Sequence, residues 1–275
     1  MTQPARILLV AGSDSGGGAG LQADIKSVMA LGGFATCAVT ALTAQNTLGV
    51  QGVSPVEPAF IGEQMVSVLD DIGADAAKTG MLPSSEVIEA VAARLEAIAS
   101  ALPLVVDPVM VAQSGDRLIE EAAEATLRQR LLPLATVVTP NIPEAKVLAG
   151  RPLGADEPPG NLANELLGLG CEAVLLKGGH AAGEEVVDVL ARRGQDPLYL
   201  RYPRIATRSN HGTGCTLASA TATGLGEGRA LDDAVRRARA YLQRAMEKAP
   251  GFGAGGGPIH HGHTVGPFEL GPSER

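Results

Sequence analysis

Tryptophan is absent from the 275-residue chain, and aromatic residues make up only 3% of it. The usual stacking platforms for single-stranded nucleic acid are therefore missing. Positive charge is scarce too: 22 Lys and Arg against 30 Asp and Glu leave a formal net charge of -8. That balance gives no electrostatic footprint for a duplex or an anionic membrane, so neither is expected as a partner. A negatively charged ligand must then be held locally, by backbone N–H groups, a few cations or a metal. Long apolar runs are missing as well. The most apolar N-terminal run, Ile7–Ala11, is five residues, where a membrane span needs about 20. The three cysteines, Cys37, Cys171 and Cys215, are odd in number and far apart, with no secretory apolar segment ahead of them. A reducing, cytoplasmic location is the expectation.

What is present is a 45% hydrophobic chain with 35 Gly and 18 Pro, enough for a sizeable core with many tight connections. Aliphatic or β-branched runs recur at Ile7–Ala11, Phe34–Leu42, Leu104–Val109, Thr136–Thr139 and Ala173–Leu176. Between several of them lie amphipathic helical stretches. Leu21, Ile25, Val28 and Met29 share one face of Gly20–Leu31, and Ile61, Met65, Val68, Leu69 and Ile72 one face of Ala59–Ile72. Ser84–Ala99, Ile119–Leu131 and Ala230–Lys248 also read as helices. The alternation predicts an α/β protein with a mostly parallel central sheet covered by helices on both faces. Val186–Ile205 holds two strand-like runs around Gly194–Pro197, an antiparallel excursion at the sheet edge. Asp156–Asn161 reads as a surface loop. No linker or repeat divides the chain, so one domain over 1–275 is expected, with an irregular tail from about 251 and a frayed end at Gly271–Arg275.

Ligands of parallel α/β sheets bind beyond the carboxyl ends of the strands, and the segments there are polar or glycine-rich. They are Gly12–Gly20, Thr43–Asn46, Lys78–Met81, Asp107–Met110, Thr139–Glu144 and Lys177–His180. Gly18, Gly20 and Ala23 satisfy a relaxed dinucleotide fingerprint, yet no carboxylate lies between Asp24 and Glu57 to hold a ribose. A Walker A sequence is absent. The sharper feature is His211-Gly212-Thr213-Gly214-Cys215-Thr216 ahead of a small-residue helix. Glycines there expose unpaired N–H groups at the positive end of the helix dipole, an anion site that needs no net positive charge. Such donors suit phosphoryl transfer, which spreads charge over equatorial oxygens. Cys215, in the first turn, is expected to have a lowered pKa and to serve as base or nucleophile. Asn141 and Glu144, one helical turn apart, suit either a magnesium site with its waters or a helix cap. For Lys177 a snorkelling surface lysine and a phosphate contact both stay open. His260, His261 and His263 read as packed or solvated imidazoles rather than a metal site.

Together the blocks Ala11–Asp24, Thr40–Thr47, Lys78–Leu82, Asp107–Met110, Thr139–Ala145, Leu176–His180 and His211–Thr216 resemble the hydroxymethylpyrimidine/phosphomethylpyrimidine kinases of thiamine biosynthesis, members of the ribokinase-like superfamily. The similarity runs over nearly the whole chain. It implies a ribokinase-like fold, a homodimer, and ATP- and Mg²⁺-dependent phosphorylation of 4-amino-5-hydroxymethyl-2-methylpyrimidine, then of its monophosphate to the diphosphate. Carried over residue by residue, Gln45 would hydrogen-bond the pyrimidine edge, and Gly12, Ala19, Thr43, Met81 and Val109 would line the ring pocket. Gly212, Thr213, Gly214 and Cys215 would form the anion hole, with Cys215 in the place of the superfamily's usual Asp base. Lys177 would contact nucleotide phosphate, while Asp107, Asn141 and Glu144 would arrange the metal and its waters. Thr43 departs from an expected aliphatic residue and would act through its backbone. The glycines at 255–257 would loosen the tail without touching the chemistry. The alternatives are a pyridoxal or pyridoxine kinase on the same scaffold, which Gln45 and Met81 disfavour, and a catalytically silent ligand-binding domain.

Overall fold

Five apolar segments align as the parallel centre of a sheet because each is buried on both sides and rich in Val, Ile, Leu or Ala. A computed structural model describes residues 3–98, 101–110, 119, 121–154, 157–179, 183–266 and 269. The eight-stranded sheet runs in the order β10 (Leu198–Pro203), β9 (Glu185–Arg192), β8 (Ala173–Leu176), β7 (Val137–Val138), β6 (Leu104–Val106), β5 (Ala76–Thr79), β1 (Arg6–Ala11), β2 (Phe34–Val39). Pairs from β2 to β8 are parallel; β9 and β10 form the antiparallel edge expected from Val186–Ile205.

Helices cover both faces. On one, α2 (Pro58–Asp71), α3 (Ser85–Glu96), α4 (Glu121–Thr126), α5 (Ile142–Leu148) and α6 (Pro159–Leu166) enclose a core that includes Leu8, Val10, Ile61, Met65, Ile88 and Leu131. On the other, α1 (Gly20–Ala30), α7 (Thr213–Gly226) and α8 (Leu231–Glu247) pack against Ile7, Leu9, Ala76, Val105 and Leu175. Helix α7 is buried from Thr216 to Leu225, and its small residues permit that. A Cβ at Gly224 would lie 2.8 Å from Ala234 Cβ, and one at Gly226 would lie 2.7 Å from Ile7 Cδ1. Its buried hydroxyls return to the helix backbone, Thr221 to Leu217 O and Thr223 to Ser219 O, both at 2.8 Å.

Four features differ from the sequence expectations. Phe34–Leu42 is two strands, not one: the chain leaves the sheet at Thr40 and continues as β3 (Ala41–Asn46), which pairs antiparallel with β4 (Gly49–Pro55) in a separate two-stranded sheet. Backbone bonds from Thr40 N to Ala11 O and Ser13 N to Ala41 O impose the break. Lys78 and Thr79 belong to β5 rather than to a loop after it. Asp156–Asn161 is partly helical, since α6 begins at Pro159, whose fixed φ suits a first turn; Asp156 itself lies outside the described residues. The tail is irregular over 251–258, as expected, but it is pinned. Gly255 N–H donates to Thr47 Oγ1 at 3.3 Å and His211 N–H to Gly257 O at 3.1 Å. Gly271–Arg275 lies outside the described residues.

Candidate active site

The carboxyl ends of β1, β5, β6, β7 and β8 open into a cavity of about 780 Å³. The fourteen residues that the family resemblance places in the site line it: Gly12, Ala19, Thr43, Gln45, Met81, Asp107, Val109, Asn141, Glu144, Lys177, Gly212, Thr213, Gly214 and Cys215. His180 lies outside the described residues.

Strand alternation turns Thr43 and Gln45 inward while Leu42, Ala44 and Asn46 are exposed. The loop after β1 is bound to this strand. Ser15 Oγ donates to Gln45 O at 2.9 Å and accepts from Gln45 N–H at 2.8 Å. Thr43 is tied to Ser13 through both backbone and side chain: its N–H donates to Ser13 Oγ at 3.3 Å and its Oγ1 donates to Ser13 O at 2.9 Å. Met81 is fixed from behind by Thr40 Oγ1, which donates to its carbonyl at 2.7 Å. A side chain at position 12 would collide with the Met81 methyl, so glycine there lets Met81 close this side of the cavity.

The entrance to α7 joins the two halves of the cavity. Gly212 takes φ 81°, the left-handed region that favours glycine, and a Cβ on it would run into Gly18 O. Two residues on, a Cβ at Gly214 would lie 3.2 Å from Lys177 Nζ and 3.7 Å from Asp107 Oδ2. One short turn thus touches the glycine loop after β1 and the charged pair at the ends of β6 and β8. Lys177 is 15% exposed and bonds Asp107 Oδ1 at 2.8 Å, with Glu144 Oε2 at 3.8 Å. It is a partly buried cation at the cavity wall, not a snorkelling surface lysine. Burial opposes its charge, but Asp107 and Glu144 raise its pKa above the usual lysine range. Burial would raise the Asp107 carboxyl, yet Lys177, Lys78 and the Thr139 hydroxyl hold it low. Glu144 is pushed up to about 7 by burial and by Asp107, against the opposing pull of Lys177. Asn141 and Glu144 form a capping box for α5, each side chain bonded to the other's backbone N–H at 2.8 and 2.7 Å.

Cys215 departs from expectation. Its thiol is pushed up to about 11, because burial and the Asp24 and Asp107 carboxylates outweigh Lys78 and the Gly20 N–H. Its place at the helix N-terminus does not bring it below the ordinary thiol range.

Three site residues were missed as such in the sequence. Asp14 and His211 are hydrogen-bonded at 2.8 Å beside Gln45. Lys78, 0% exposed, bonds Asp24 at 2.8 Å at the cavity floor. No local signal marks Lys78, because Lys78-Thr79-Gly80 has the composition of a loop. The far wall, with Asp188, Ile205, Leu242, Gln243 and Met246, had none. His260, His261 and His263 lie in the tail, and among the described residues no group of three or more His, Cys, Asp or Glu is arranged to hold a metal.

The sequence profile described as phosphomethylpyrimidine kinase matches residues 14–260. The chain belongs to the phosphomethylpyrimidine kinase family. The hydroxymethylpyrimidine/phosphomethylpyrimidine kinase of Streptomyces coelicolor is 46% identical to this kinase over 263 residues, 96% of each chain. The thiamine biosynthesis bifunctional protein ThiED of Geobacter sulfurreducens is 48% identical over 93% of this chain, which spans 52% of that longer protein. Among solved structures, the phosphomethylpyrimidine kinase of Clostridium difficile superposes with a TM-score of 0.76 and 38% identity, covering 88% of this chain and 99% of that one. The ADP complex of Bacillus subtilis pyridoxal kinase superposes at 0.86 with 32% identity, covering 94% and 98%. The mostly parallel sheet with helices on both faces is therefore the ribokinase-like fold expected, and the kinase carries no described helix long and apolar enough to cross a membrane.

Proposed function

We propose that this kinase transfers the γ-phosphoryl group of ATP to the hydroxymethyl oxygen of 4-amino-5-hydroxymethyl-2-methylpyrimidine, and then a second phosphoryl group to the resulting monophosphate, as a single-domain cytoplasmic enzyme of thiamine diphosphate biosynthesis. The observation that carries the reading is the α7 entrance, where Gly214 lies beside Lys177 and Asp107 while Gly212 abuts the loop that holds Gln45. A phosphoryl group in flight between nucleotide and pyrimidine would pass that turn. Family membership and relatives at 43–46% identity named for the pyrimidine support it over the pyridoxal alternative, whose structural likenesses are 32–34% identical.

Gln45 offers donor and acceptor together and matches an aminopyrimidine edge without imposing charge. Gly12, Ala19, Thr43, Met81 and Val109 wall the ring. The backbone N–H groups from Gly212 to Cys215 take the equatorial oxygens, and Lys177 neutralises the nucleotide phosphates. Ile205, Leu242 and Met246 supply an apolar wall for the nucleotide base. Cys215 accepts the hydroxyl proton in the first transfer; Lys78 and Lys177 are the cations that favour its thiolate. The second nucleophile is already an anion, so positioning suffices.

The donor set fits magnesium carried in with the nucleotide rather than caged by protein. Asp107 Oδ2 faces the anion hole, whereas Asp107 Oδ1 and the Asn141–Glu144 pair are already engaged by Lys177, Thr139 and each other. When bound, the ion would neutralise charge on the phosphate oxygens, with Asp107, Asn141 and Glu144 orienting its waters. Exposed Leu42, Leu48 and Val53 on the β3–β4 sheet support a homodimer.

Incubation of the purified protein with ATP, Mg²⁺ and either the hydroxymethylpyrimidine or pyridoxal, followed by mass, tests the reading. Pyrimidine mono- and diphosphate are expected. Pyridoxal phosphate without any pyrimidine phosphate would overturn it.

A further inference from the structure

Asp14 is 1% exposed, and its carboxylate accepts backbone N–H bonds from Gly16, Gly18 and Ala19 at 2.8, 3.0 and 2.7 Å. His211 Nε2 completes the set, 2.8 Å from Oδ2. Burial would raise this carboxyl, but His211 and the N–H donors hold it below the usual carboxylate range. An ionised carboxylate only accepts, so His211 Nε2 carries the proton. The imidazole is held from its other sides: a Cβ at Gly18 would lie 2.5 Å from Cδ2 and 3.2 Å from Pro258 Cβ, and the His211 backbone N–H is bonded to Gly257 O.

The same Nε2 lies 3.3 Å from Gln45 Nε2, the amide nitrogen. An N–H facing another N–H has no acceptor, and the orientation of a glutamine amide is fixed by its network. The amide oxygen therefore belongs on the His211 side, sharing the Nε2 proton with Asp14. We infer that His211 is a specificity-determining positioning residue, which fixes the end of the Gln45 amide that meets the substrate ring. With the oxygen held by His211, Gln45 turns its –NH₂ to a ring nitrogen that accepts, and its second oxygen lone pair stays free for a neighbouring amino donor. A ring with an oxo group and an adjacent N–H presents the reversed pattern and meets donor against donor. His211 is also the residue before Gly212, so the element that sets ring choice is continuous with the anion hole. Pinning the Gln45 amide and placing the α7 entrance are one structural act.

The inference rests on Gln45 being the ring contact, and the test separates the two. kcat/KM is measured for the hydroxymethylpyrimidine and for its analogue carrying oxo in place of the ring amino group, and the ratio of the two values is read. His211→Phe keeps a ring against Gly18 and Pro258 but removes the proton; it is expected to lower the ratio by about 10-fold or more, mainly through KM of the amino substrate. His211→Gln, which can still donate to Asp14, should hold the ratio within about 3-fold of the parent. In a Gln45→Ala background, His211→Phe should change the ratio no further. His211→Leu replaces His211→Phe if that variant does not fold. Should Gln45→Ala alone leave the ratio unchanged, the assignment of Gln45 falls and the inference with it. Should Gln45→Ala collapse the ratio while His211→Phe lowers both substrates equally, only the inference falls, and His211 is a packing residue of the loop.

Discussion

At the scale of single residues, Cys215 poses the clearest chemical question. A thiol pushed up to about 11 is almost wholly protonated at neutral pH. Its usefulness as a base depends on Lys78 and Lys177, whose charges favour the thiolate against the opposing carboxylates of Asp24 and Asp107. The two transfers make different demands. A hydroxyl must lose a proton as it attacks, whereas a phosphate monoester is ionised beforehand. Cys215→Ala is therefore expected to lower kcat of the first transfer by roughly 10²-fold or more, the usual size of a general-base effect. The second transfer should fall by less than about 10-fold, because the backbone N–H of residue 215 survives the substitution. Separate steady-state assays with the alcohol and with its monophosphate read the two losses. Equal losses would assign Cys215 to the shape of the anion hole alone.

At the scale of elements, β5 shows how a charge can be structural. Lys78 sits in a four-residue strand with every position buried, and it is 0% exposed. Asp24 of α1 bonds its ammonium at 2.8 and 3.0 Å, and Ser219 of α7 donates to the same carboxylate at 2.7 Å. Strand and both helices are thus tied at one point at the cavity floor. Burial disfavours the ammonium, but Asp24, Cys215 and Asp107 together raise its pKa above the usual lysine range. Removing one partner strands the other charge. Lys78→Met is expected to lower unfolding free energy by about 3–5 kcal/mol in urea titrations, and adding Asp24→Asn should recover much of that loss. Additive losses would mean the pair is not coupled. The same elements mark what could be read beforehand. Helix α1 and the α7 entrance were legible, because aliphatic spacing and a glycine pair before small residues are local signals. Strand β5 was not, since Lys78-Thr79-Gly80 has the composition of a loop. Strands β3 and β4 were not, because Ala41–Asn46 lacks a strong alternation and owes its conformation to bonds from Ser13 and Ser15. All fourteen candidate residues line one cavity, yet the contact between Asp14 and His211, 197 positions apart, has no local signature.

At the scale of the whole molecule, the tail acts as a clasp. Its first part lies against Thr47 at the β3–β4 turn and pairs with His211, two residues ahead of α7. Its second part crosses α8 and α1: His260 N–H donates to Ala245 O at 2.9 Å, and Thr264 Oγ1 donates to Ala30 O at 2.8 Å. At the crossing, His261 is 6% exposed, with Nδ1 3.1 Å from the Tyr241 hydroxyl and 3.4 Å from the Ser27 hydroxyl. Burial lowers its pKa from 6.5 to about 4, with Lys26, His263 and His260 adding to the effect. A group whose folded pKa is depressed stabilises the fold fully above its unfolded pKa, and that contribution is lost as pH falls through the folded value. His261 should therefore contribute about 3 kcal/mol above pH 6.5 that disappears progressively toward pH 4. Carboxylates such as Asp14, held low by its partners, also weaken the fold in acid, so the wild-type curve alone does not isolate the imidazole. The difference between the protein and His261→Gln does, because that side chain is similar in length and does not titrate. Urea unfolding at several pH values from 7.5 to 4 should give curves that converge as the pH falls, since only the parent loses the imidazole's contribution. Curves that stay parallel across that range would mean that the clasp does not depend on a neutral His261.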